Sequence, residues 1–193
     1  MPFIRAICAV SAPPVDRSSP IAALAGVARV GLQPKRRTAF TFDAPDGMDV
    51  HALPAVVDAE ESWYFRPESG RLMGSPADEI DSPPCDAQPD EMDIAIAVDR
   101  IEQATIFQIR RLASRWAGLR SFVADRTMVA GFAPDTKGFF WLAGQGGYGI
   151  QTAPAMGRLA ASLATGSPLP DDIAGFGVSA ADLAPDRPAL RGA

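Results

Sequence analysis

The chain has 193 residues, 47% hydrophobic and 21% charged, enough to bury one domain or one domain plus part of another. Its 18 Lys and Arg against 23 Asp and Glu leave a formal charge of −5, which excludes a generally basic nucleic-acid-binding surface and a polybasic membrane patch. Cys8 and Cys85 cannot make a disulfide framework, no Cys/His cluster exists for zinc, and the single histidine, His51, excludes any mechanism that needs two.

No stretch approaches the ~20 apolar residues of a membrane span. MPFIRAICAV, residues 1–10, is a short apolar run followed by Asp16 and Arg17 rather than a signal peptide, so the chain reads as cytoplasmic. SAPPVDRSSP, residues 11–20, is too rich in proline for a helix or central strand and reads as a flexible lead-in. IAALAGVARVGLQP then predicts a short helix or turn followed by a strand, with Gly26 as the break. After Lys35, Arg36 and Arg37, the β-branched and aromatic TAFTF predicts a strand, and Ala44–Gly47 a turn. Two more strands are expected at Ala55–Val57 and Ser62–Phe65, the second opening a hairpin that turns at Pro67–Gly70 into Arg71–Gly74.

Residues 75–90 carry four prolines and five Asp or Glu and read as an exposed loop in which Asp78, Glu79 and Asp81 are solvated, without calcium-loop spacing. Asp90 is placed to cap a long helix with Glu91 and Asp93 in its first turn. Ile94, Val98, Ile101, Thr105 and Ile109 recur at mostly fourfold spacing, with Arg110 and Arg111 near the C-terminal end. Beyond Trp116–Arg120 the segment SFVA is strand-like, as is Met128–Phe132. Phe139–Ala143 is apolar throughout, as a strand buried on both faces would be. It runs into GQGGYGIQ and a small-residue helix from about Thr152 to Ala164, with Gly166 as its C-cap. The tail from Ser167 is a surface wrap or partly disordered. Strands, one long helix, more strands and a last strand–turn–helix make an α+β class.

A buried strand passing through Gly144, Gly146, Gly147 and Gly149 into a helix gathers free N–H groups and a positive dipole end, which suits a phosphate, a carboxylate or an electron-rich cofactor oxygen. The same glycines equally suit a tight turn. The run is not read as a dinucleotide fingerprint, because the acids some 20 positions on, Asp171 and Asp172, lie in a Pro-flanked tail. Arg120, between Leu119 and Phe122, fits a guanidinium directed into a pocket for a carboxylate, or else a surface or salt-bridged arginine. Tyr64 offers a hydroxyl to a ligand or is a half-buried strand aromatic. Arg36 and Arg37 at a strand start are solvated or paired unless they serve a site. His51 has no nucleophile in a recognisable elbow.

PKRRTAF (34–40), SWYFRPESGRLMGSP (62–76), WAGLRSFVAD (116–125) and GFFWLAGQGGYGIQTAPAMG (138–157), in that order, resemble the FAD-dependent D-amino-acid oxidase family, and within it D-arginine dehydrogenase most of all. The resemblance covers about residues 21–175. It implies a mixed-sheet substrate domain at 21–132, the C-terminal strand–turn–helix of an FAD domain at 133–166, an unmatched lead-in at 1–20 and a surface tail at 167–193. By the same resemblance, Arg120 and Tyr64 bind the substrate α-carboxylate, Gly147 offers its carbonyl to the amine, and Arg37 stands near the pocket. Gly146, Gly147, Tyr148, Gly149, Ile150 and Gln151 line the FAD flavin. The implied reaction is oxidation of a D-amino acid by hydride transfer to flavin.

The family's N-terminal Rossmann half has no counterpart in this sequence. That leaves three expectations: a C-terminal fragment weak or inactive alone, a subunit of a split flavoenzyme completed by a separate chain, or a silent ligand-binding module. Neither nucleic acid nor a metal is expected as a partner.

Overall fold

In the computed structural model, which describes residues 5–8 and 20–190, the chain divides into two compact units. One comprises the residues up to Pro34, Ser82–Cys85 and those from Arg120 onward; the other comprises Lys35–Asp81 and Asp86–Leu119. In chain order the strands are β1 (Arg5–Cys8), β2 (Gln33–Phe42), β3 (Val56–Val57), β4 (Tyr64–Glu68), β5 (Arg71–Ser75), β6 (Ile80–Asp81), β7 (Leu112–Phe122), β8 (Val129–Phe132) and β9 (Phe139–Ala143). The helices are α1 (Pro20–Ala25), α2 (Glu91–Ala104), α3 (Gly149–Thr165), α4 (Asp171–Ala174) and α5 (Ala180–Leu183). This is the expected mixture of α and β. None of the helices among the described residues is long and apolar enough to cross a membrane.

The second unit is built on a sheet of order β3-β4-β5-β2-β6, with β7 also paired to β2. The expected hairpin forms as β4 and β5, antiparallel with Tyr64 opposite Ser75 and Glu68 opposite Arg71. TAFTF is the buried end of β2, where Phe40 and Phe42 pack with Phe65, Leu72 and Phe107. Ile94, Ala97 and Ile101, spaced three and four apart, turn one face of α2 onto this cluster. Gly74, opposite Phe40, leaves room for its neighbour's ring: a Cβ there would lie 2.7 Å from it.

Three expectations change in this unit. The long helix ends at Ala104 and does not carry Ile109, Arg110 or Arg111. Thr105 is extended; its hydroxyl donates to the Ile101 carbonyl at 2.7 Å and accepts from Phe107 N–H at 3.1 Å, so the side chain replaces the next helical turn. Trp116–Arg120 lies inside one strand rather than before one. Of the acids at 78–81 only Asp81 is solvated, its side chain 66% exposed. Asp78, its side chain 6% exposed, accepts from Thr38 N–H at 2.7 Å and Thr38 Oγ1 at 3.0 Å and pairs with Arg36. Because β6 lies antiparallel to the start of β2, it sets Asp81 opposite Lys35, and the three bases of the run each meet an acid.

In the first unit β9 lies between β1, parallel, and β8, antiparallel. Arg5–Cys8, assigned to the lead-in on sequence, is therefore a strand; the rest of that lead-in, residues 1–4 and 9–19, lies outside the described residues. One apolar cluster joins Val27, Val30, Leu32, Phe139, Trp141 and Leu190; a second joins Ala130, Leu159 and Leu183. β9 is buried as its sequence predicts. α3 starts at Gly149, three residues earlier than expected, and stops at Gly166, whose φ of +70° lets the chain leave in a left-handed turn. The tail is an ordered wrap as far as Leu190: Arg187 forks onto Asp125 at 2.7 and 2.8 Å and donates to the Thr127 carbonyl at 2.6 Å. Residues 21–34 and 120–132, expected with the substrate domain, group here with 133–166.

Candidate functional site

The first unit assembles a site from the end of β7 and the glycine turn between β9 and α3. Gly146 N–H donates to the Ser121 carbonyl at 2.9 Å, tying the turn to the strand. Gly146 has φ +53°, and a Cβ there would lie 2.5 Å from the Phe122 ring, so both backbone and space require glycine. Arg126 Cζ lies 4.4 Å from the centroid of the same ring, a cation–π contact. Phe122 therefore acts as the wedge that sets the turn. Its role is invisible in the sequence, where it reads only as an apolar flank of Arg120, because the glycine it fits is remote along the chain.

With the turn fixed, a Cβ on Gly147 would sit 3.0 Å from Arg120 Nη1. The guanidinium thus lies against the Gly147 backbone, and the two residues that the sequence singled out separately are together. Arg120 is half-buried. Arg36 and Arg37, also half-buried, pair with carboxylates, whereas no carboxylate among the described residues pairs with Arg120. A partly desolvated cation without a counter-ion is an unmet demand for an anion.

Beside it α3 opens with Tyr148 at its N-cap and no side-chain hydrogen bond, so its first-turn N–H groups have no side-chain acceptor. Gly147, Tyr148, Ile150 and Gln151 are exposed, Ile150 at 96%. The spacing G-x-G-x-x-G is in fact present at Gly144, Gly146 and Gly149. What it lacks is the setting of a nucleotide fingerprint: no strand follows α3 among the described residues to complete a βαβ unit. The group suits the electron-rich edge of a flavin, with open N–H donors, a glycine backbone bare of side chains and an apolar Ile150 beside it.

The other predicted residues lie on the second unit. Tyr64 is half-buried on β4, opposite Val57 and Ser75. Arg37 is engaged internally, donating to the Asp78 carbonyl at 2.7 Å and pairing with Glu79 at 3.2 Å. His51 is exposed beside Asp49, and no group among the described residues could hold a metal ion.

The model of the FAD dependent oxidoreductase (DAO) family matches residues 18–163. The chain belongs to this family. FAD-dependent oxidoreductase domain-containing protein 1 of Bos taurus is 26% identical over 167 residues, 76% of this chain and 33% of the relative. Its Xenopus laevis counterpart is 25% identical over 166 residues, 76% of this chain and 32% of the relative. The chain thus spans about a third of the curated relatives it matches. Among solved structures, glycine oxidase from Geobacillus kaustophilus shares the fold at a TM-score of 0.59 and 23% identity, over 80% of this chain and 40% of that one. L-proline dehydrogenase from P. horikoshii does so at 0.62 and 22%, over 81% and 44%. The DAO-type fold, and membership of an FAD-dependent oxidoreductase family, agree with the resemblance read from the motifs.

Proposed function

We propose that this DAO-family chain carries the substrate-carboxylate and flavin-edge part of an oxidoreductase acting on a D-amino acid of the D-arginine type. The observation that carries the reading is Arg120: a half-buried guanidinium with no carboxylate of its own among the described residues, lying on the bare backbone of Gly147. A guanidinium fork matches an α-carboxylate with two parallel hydrogen bonds. With the carboxylate held there, the Gly147 carbonyl is the acceptor for an amine N–H, which fixes how the α-carbon is presented. On the other unit Tyr64 offers a hydroxyl donor, and Arg37, though paired, contributes positive charge there. Gly146 to Gln151 hold the flavin edge, with the first turn of α3 stabilising negative charge there. Bound FAD supplies the hydride acceptor for the substrate α-carbon. We place the reaction in the cytoplasm.

A second reading is that a separate chain supplies the nucleotide-binding portion. A silent module that keeps only the Arg120 pocket is the third. One experiment separates them: absorbance spectra of the purified chain after gel filtration with FAD, before and after D-arginine. Retained flavin bands that bleach with D-arginine support the enzyme reading. A colourless protein that still binds D-arginine by calorimetry supports the silent module. A colourless chain that binds neither overturns stand-alone function and leaves the fragment and split-enzyme readings.

A further inference from the structure

β7 is the one long strand of the second unit's sheet left with an open edge. Its sole neighbour among the described residues is β2, so none of them forms a ladder on the other side of its backbone. The other margins of that sheet, β3 and β6, are two residues each, whereas β7 runs for 11. Short edge strands, prolines and inward charges are the usual protections against strand addition. β7 has no proline, and residues 113–116 are all exposed, so both faces are open over its first half. Trp116 stands 42% exposed, while Trp63 and Trp141 are buried.

The charge of this edge is opposite to that of the molecule. From Gln103 to Leu119 the sequence has three arginines and not one acid, in a chain of net charge −5. Arg110 reaches only the Gln108 side chain, and Arg111 is exposed with no carboxylate partner among the described residues. Arg115 pairs with Glu91, but the two side chains are 50% and 71% exposed, so the pair is easily exchanged. A second copy of β7 would bring like charges together across the new ladder, which is unfavourable.

We propose that the open edge of β7, Leu112–Leu119, is a docking site for an extended, acidic segment of another polypeptide, which adds as a strand and sets carboxylates against Arg111 and Arg115. Main-chain hydrogen bonds supply the attachment and the arginines select the charge. The site uses no residue of the Arg120 pocket, so its test is independent of the amino-acid reading.

The probe is a blocked peptide of about ten residues alternating Glu with Val or Thr, the length of an ordinary strand, titrated against the intact chain while the fluorescence of Trp116 is followed. A saturable blue shift and protection from iodide quenching, both absent in Trp116→Phe, are expected. Arg111→Glu, an exposed change that leaves the core intact, weakens binding by about tenfold or more, the scale of one lost charge contact. The same peptide fully N-methylated cannot form a ladder and does not bind. Equal binding of the N-methylated peptide or of a Lys-for-Glu peptide overturns the proposal. So does a concentration-dependent dimer that the acidic peptide fails to dissociate, which would make a second copy the occupant.

Discussion

A single methyl group at position 147 would stand 3.0 Å from Arg120 Nη1, so Gly147→Ala displaces the guanidinium without removing any polar atom. We expect it to weaken D-arginine binding to the FAD-supplemented chain, and Arg120→Met to weaken it further, by about 10- to 100-fold, the scale of a lost charge-assisted pair. Calorimetry checks both; unchanged affinity in Arg120→Met sinks the carboxylate role. A different arginine governs the tail. The hydrogen-bonded Arg187 guanidinium, against the opposing effect of partial burial, holds the Asp125 carboxyl below its ordinary value. A depressed carboxylate stabilises the fold above its unfolded pKa of about 3.9 and loses that contribution as pH falls through the folded value. Asp125→Asn is therefore less stable than the wild type at neutral pH, with the gap closing below about pH 4; denaturant midpoints across that range test it. Sequence could single out Arg120 and the glycine run, because apolar flanks and glycine clusters are local signals. It could not assign Arg187 or Asp78, because their partners, Asp125 and Thr38, are distant along the chain and only the fold supplies them.

Elements were legible where their ends are written in adjacent residues. Asp90 caps α2 by accepting from Met92 N–H at 2.8 Å and Asp93 N–H at 3.2 Å, and Asp93 in turn pairs with Arg36. Asp90→Ala should cost about 1 kcal/mol, and Asp90→Asn much less. Thermal unfolding of the two variants distinguishes loss of the cap from a mere change of charge: equal destabilisation would count against capping. The other end of α2 was misread because the apolar spacing continues past Ala104, while the Thr105 hydroxyl closes the helix on Ile101. The β4–β5 hairpin was readable from its turn, whereas β1 forms only by parallel pairing with β9, a partner the local sequence does not name. Likewise the wedge of Phe122 at Gly146 arises from two elements that fold together without sharing a motif.

At the scale of the molecule, the division into units is discontinuous: the chain leaves one unit and re-enters it, so no contiguous boundary drawn on sequence could match it. Each unit nevertheless has its own apolar clusters, with Ile101 in the cluster of Phe40 and Leu72 and Leu159 in that of Ala130 and Leu183. Ile101 and Leu159 are 0% and 2% exposed, so truncating either to alanine should cost about 2–5 kcal/mol. The cost should be felt locally, because opening free energies follow the cluster that is damaged. Ile101→Ala should accelerate amide hydrogen exchange in β2, β4, β5 and α2 and leave β8 and β9 protected; Leu159→Ala should do the reverse. Exchange measured by mass spectrometry at peptide resolution decides it. Uniform acceleration across both units in either variant would mean that the two clusters open as one cooperative core, and that the separation seen in their packing is not a separation in stability.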